Sequence, residues 1–200
     1  MLVIVGIITL GLAQGRLPRT HQGYNPVLYW AAGLAAAVIF FASLLAHELA
    51  HAVLARCNSV PVDGIVLWLL GGMARLKAEA SSPAAELRIA GVGPLVSLLL
   101  SGVLALGTWL LHLASAPELA IEVTAWLAGI NFLLVAFNVL PAAPLDGGRL
   151  LRAFLWWRTG DRLRATVIAT HAGRVLGWLL IVVGLLVLSE GSDWKDCGWP

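Results

Sequence analysis

PVLYWAAGLAAAVIFFASLLAHELAHAVL, from Pro26 to Leu54, decides the fold: nothing between Pro26 and Ala46 carries a charge. A helix needs roughly 20 apolar residues to cross a bilayer, and this run supplies them before His47, Glu48 and His51 appear at its end. The whole chain has the same character: 60% of its 200 residues are hydrophobic, 12% are charged, and mean hydropathy is +0.88. Soluble domains average roughly 45–50% apolar and about 25% charged, so the solvent must be lipid. Two hundred residues hold five or six spans once loops are subtracted, which leaves no room among them for a separate soluble domain. A single all-α polytopic membrane domain is predicted.

Outward from that helix, Met1 to Ala13 reads as a short first span without an A-x-A cleavage site. Downstream, Ile65 to Leu70 is too short to span and is flanked by Gly64 and by Gly71 and Gly72. It fits a hairpin dipping into the protein, which membrane depth tolerates only where protein or a cavity satisfies the backbone. Ser81 to Glu86 reads as a polar loop. Further helices are expected over about 87–113, 119–140 and 166–188, with a short amphipathic piece from Arg149 to Trp157. The core then occupies about 27–157, flanked by helices at about 1–13 and 166–188, and residues 189–200 are expected to be disordered.

A formal charge of +2 spread over the loops excludes a nucleic-acid partner. Cys57 and Cys197 fall on opposite sides of the expected topology, so neither a disulfide nor a thiolate metal site is expected. Arg149, Arg152, Arg158, Arg162 and Arg164 crowd one connection, whereas Glu118 and Glu122 mark the preceding one. Basic residues concentrate on the cytoplasmic side, which puts the arginine-rich connection and the ends of the helices bearing His47, His51 and Asp146 there. Arg16 and Arg19, in a loop this places outside, run against the rule.

His47-Glu-Leu-Ala-His51 is H-E-x-x-H on a helix. Its histidines lie about 40° apart and one turn from each other, so both imidazoles can reach one ion. Glu48 sits about 100° from His47, off the ligand direction but within reach of a metal-bound water, as a general base requires. A catalytic zinc takes three protein ligands. Asp146 is the best-placed acid, with Pro141 and Pro144 unwinding the preceding helix and Gly147 and Gly148 letting the carboxylate turn inward. The alternatives for such polar groups in a membrane helix are a satisfied cluster or an ion-transport path. His21, His112 and His171 fit interfacial or packing positions.

H-E-x-x-H together with Asn138-Val-Leu-Pro-Ala-Ala-Pro-Leu-Asp-Gly-Gly148 resembles the site-2 protease family of intramembrane zinc metalloproteases, which cut transmembrane helices of other proteins. Leu67 to Leu76 resembles the family's re-entrant β-hairpin, and Gly93-Pro94-Leu95 its small-residue motif. The likeness runs from about Trp30 to Leu188, nearest the compact prokaryotic branch without a PDZ insertion. It implies a three-helix catalytic core and one zinc per chain bound by His47, His51 and Asp146, with Glu48 as base. Asn138 would contact substrate or help polarise its carbonyl, Asn131 would act similarly, and Gly71 and Gly72 would leave a strand edge for an extended peptide. The implied partners are a transmembrane protein substrate and the lipid bilayer, in a prokaryotic cell membrane with the site toward the cytoplasm. The opening segment is shorter than the family's usual one, and the tail lacks the branch's sixth helix. A divalent-metal transporter and an inactive scaffold of the same fold are the rival functions.

Overall fold

In the computed structural model, residues 2–60, 62–68, 71–76 and 80–192 are described. The expected tail beyond 192, Cys197 within it and the hairpin turn at 69–70 lie outside those residues. The elements are α1 (Leu2–Leu10), a π-helical stretch (Gly11–Arg16), α2 (Leu17–Thr20), α3 (Pro26–Cys57), β1 (Val62–Trp68), β2 (Gly71–Leu76), α4 (Pro83–Leu113), α5 (Glu118–Val139), α6 (Asp146–Thr159) and α7 (Arg162–Ser192). Among the described residues, α3, α4, α5 and α7 are long and apolar enough to cross a membrane. The amino-terminal run reaches Thr20 rather than Ala13, divided by its π turn.

Local chemistry accounts for the boundaries. Asn25 caps α3 by accepting from the Val27 N–H at 2.9 Å, and Pro26 follows at the first helical position. Ser82 caps α4 in the same way, accepting from Ala85 N–H at 3.2 Å, with Pro83 next. Pro83 to Glu86 is therefore the first turn of α4 and not the loop expected from its polarity. Residue 160 closes α6 in the left-handed conformation, φ 69°, where glycine carries no penalty. α7 starts at Arg162, ahead of the expected 166, and stays helical to Ser192, past the expected boundary at 188.

The packing is that of a membrane bundle, with small residues inside and large ones outside. Ala36, Ala37, Ala55, Ala90 and Ala165 are buried, while Leu99, Val103, Phe132 and Trp178 are exposed. Lipid is as apolar as leucine, so helices associate by close backbone approach and polar contacts. Gly33 shows the first, as a Cβ there would meet Thr9 O at 3.0 Å and Ala13 N at 3.4 Å. Ser101 shows the second, donating across to Ala128 O at 2.9 Å and tying α4 to α5. α4 sits among α3, α5 and α6, and α7 docks on α6.

β1 and β2 pair antiparallel, with Leu67 opposite Gly72 and Trp68 opposite Gly71, and the pair lies alongside α3. At the far end of the bundle Arg16 donates to Glu122 at 2.6 Å, and His21 lies 3.0 Å from Glu118.

Overpacking a tight helix contact typically costs about 1–3 kcal/mol, so Gly33→Val should lower thermal stability in detergent by that order. Gly102→Val, where a Cβ meets nothing within 4 Å, should change it far less.

Candidate metal centre

The site grows from one face of α4. Glu86, Ile89, Gly93, Ser97 and Ser101 are all buried there and recur at three- and four-residue spacing. Pro94 has no N–H for the Ala90 carbonyl, and its ring displaces the turn before it. From that turn the Ile89 carbonyl accepts a hydrogen bond from His51 Nδ1 at 2.6 Å. One turn on, Ser97 Oγ lies 2.9 Å from His47 Nδ1. Between them residue 93 must be glycine: a Cβ there would overlap His51 Nε2 and lie 2.7 Å from His47 Nε2.

Asp146 arrives from the other side, at the start of α6. A Cβ at residue 147 would overlap the Val139 and Leu140 carbonyl oxygens, and one at 148 would lie 2.7 Å from Ala142 C and Ala143 N. The two glycines thus let α6 begin folded against the end of α5, and the intervening carboxylate turns into the bundle.

His47 Nε2, His51 Nε2 and Asp146 Oδ2 form a triangle with three sides of 3.2 Å. Ligands about 2.0–2.1 Å from a tetrahedral zinc stand about 3.3 Å apart, so the spacing fits that ion with one coordination position left over. A carbonyl only accepts, so His51 Nδ1 must carry the proton in that contact. In the neutral ring Nε2 is then a lone pair, the form a metal takes. Asp146 brings a carboxylate oxygen, an acceptor, to the same space. Lone pairs this close repel one another until a cation lies among them. Among the described residues these three form the one cluster of ligand type.

Glu48 is half-buried and within electrostatic reach of His47, His51 and Asp146. The other expected site residues stand apart. Asn131 is wholly buried, its amide donating to Leu127 O at 2.9 Å, a position closed to substrate in this conformation. Asn138 is partly exposed and donates to Leu134 O at 2.9 Å. Gly71 and Gly72 lie in β2, paired with Trp68 and Leu67. His112 and His171 are exposed, away from the cluster. Ser97 and the Ile89 carbonyl were not expected; polar residues at 97 and 101, four apart in an apolar helix, were the available signal for the first.

The model of Peptidase family M50 matches residues 35–118 and 110–180. The chain belongs to this family. Rip3 of Mycobacterium tuberculosis (strain H37Rv) is 50% identical over 192 residues, covering 96% of this chain and 49% of that protein. The protein sll0528 of Synechocystis is 36% identical over 205 residues, 98% of this chain and 52% of its own. Both bear names that class them with zinc metalloproteases. The chain spans about half the length of these curated relatives. A solved structure, the site-2 protease from Methanocaldococcus jannaschii, superposes with a TM-score of 0.61 at 30% identity, covering 92% of this chain and 79% of that one. The resemblance read from the motifs is thereby borne out, and zinc is the metal on which the donor set and the relatives' names agree.

Second-sphere changes at metal sites typically cost roughly 10–100-fold in affinity. Gly93→Ala should weaken zinc binding by at least that order in a chelator competition. Gly91→Ala, whose Cβ would lie 3.7 Å from Leu150 Cδ2, should leave it unchanged.

Proposed function

We propose that this M50 member is an intramembrane zinc metalloprotease that cleaves a peptide bond within or near a transmembrane helix of another membrane protein, as in regulated intramembrane proteolysis. The observation that carries the reading is the 3.2 Å triangle of His47, His51 and Asp146 beside a half-buried Glu48. His47, His51 and Asp146 would hold the zinc, which would supply Lewis-acid polarisation of the scissile carbonyl and activation of water. Glu48, one residue along the helix and not part of the triangle, takes the proton from the attacking water and passes it to the leaving amine.

A bond inside a helix is shielded by its own hydrogen bonds, so substrate must unwind locally, and in lipid its freed groups need partners. The β1–β2 hairpin beside α3, with Gly71 and Gly72 opening β2, offers strand backbone for them. Asn138, half-exposed at the end of α5, serves as the substrate contact. Asn131, two turns earlier on α5, is assigned the same role. The arginine-rich α6–α7 region and the metal end of the bundle face the cytoplasm.

Glu48→Gln should retain zinc and lose cleavage of a reconstituted transmembrane substrate by about 10²–10⁴-fold, the usual worth of a positioned base. A zinc chelator should stop cleavage by the unaltered protein. Metal flux across vesicles that falls with Glu48→Gln would favour a transporter, and zinc binding with no cleavage at all would favour a scaffold. Undiminished cleavage by folded Glu48→Gln would overturn the assignment of the base.

A further inference from the structure

Asp146 meets the histidines of α3 from a helix seated elsewhere. α6 rests on α4 and α7 and touches α5 less, so the position of Asp146 depends on how α6 is fixed to α4. One contact between them is a buried ion pair. Glu86 Oε1 accepts from Arg152 Nε at 2.9 Å and from Nη2 of the same guanidinium. Glu86 is 0% exposed, and its Oε2 has no hydrogen-bond partner among the described residues. Two N–H groups on one edge of the guanidinium converge on a single carboxylate oxygen, and the rigid planar group holds direction as well as distance.

The placement of the two residues gives that contact its consequence. Glu86 lies one turn before Ile89, whose carbonyl holds His51, and two turns before Gly93, against which both imidazoles rest. Arg152 lies less than two turns beyond Asp146 on α6.

We propose that Glu86 and Arg152 are positioning residues for the metal centre. Their pair locks α6 against α4 in the register that brings Asp146 Oδ2 onto the Nε2 atoms of His47 and His51. One face of α4 then sets all three ligands, holding the histidines directly and the carboxylate through Arg152. Neither residue touches the reacting atoms.

The inference rests on reading the triangle as a zinc site, so the test begins there. Zinc affinity by chelator competition, the absorption spectrum with cobalt(II) in place of zinc, and metal-free thermal unfolding are measured on the full chain in detergent. If Asp146→Asn binds zinc as tightly as the unaltered protein, the site reading itself fails. If the site reading stands, Glu86→Gln and Arg152→Lys are compared with it. The expected result is a roughly 10–100-fold loss of zinc affinity and a cobalt spectrum shifted toward that of Asp146→Asn. Glu86→Gln combined with Arg152→Lys should be little worse than either change alone, because both act through one contact. Zinc affinity and a cobalt spectrum like the unaltered protein's, with only thermal stability lowered, would make the pair a structural brace and overturn the proposal. So would failure of both variants to fold.

Discussion

Two helices can share a metal-sized space only if one of them gives up a side chain. α3 presents His47 and His51 to α4, and a Cβ on residue 93 would occupy the space their Nε2 atoms take. Glycine at 93 lets the backbones close, and closure in turn brings the Ile89 carbonyl and the Ser97 hydroxyl to the outer nitrogens of the two rings. Their orientation therefore follows from helix packing, with no separate network built to hold them. The same device recurs at residues 147 and 148, where absent side chains let α6 begin against the end of α5.

Lipid makes this economy necessary. Hydrophobic burial gives little drive for helix association in a bilayer, and a polar group without a partner costs several kcal/mol there. The buried polar groups around the metal cluster accordingly engage one another. His47 meets Ser97, His51 meets a carbonyl, Asp146 meets both imidazoles, and Glu86 meets Arg152. Each contact joins two different helices. The groups of the candidate metal centre are thus also contacts between helices, so the site and the packing share the same residues.

That coupling explains what the sequence disclosed. H-E-x-x-H needs only helical spacing, a local property, so the pairing of His47 with His51 was legible. Asp146 was legible because prolines and glycines around it announced a turn at helix depth. The start of α4 was misread because Ser82, Pro83 and Glu86 are polar, although serine before proline is also the signature of a helix cap. The family resemblance gave Asn131 a substrate role, and its full burial was not legible, because which face of a uniformly apolar helix is covered depends on partners the pattern does not name. Ser97 escaped for the same reason, since its value comes from lying opposite a residue 50 positions away.

Charge counting met a related difficulty. Arg16 and Arg19 oppose the orientation expected from the rule that basic residues mark the cytoplasmic side. In the fold Arg16 donates to Glu122 at 2.6 Å, while His21 reaches Glu118 at 3.0 Å. These contacts tie the amino-terminal helical run to the start of α5. A cation folded onto an acid is no longer the isolated charge that a loop count assumes. For Arg16 the partner is 106 positions away, invisible in the sequence until the two helices that carry the pair are known to be neighbours.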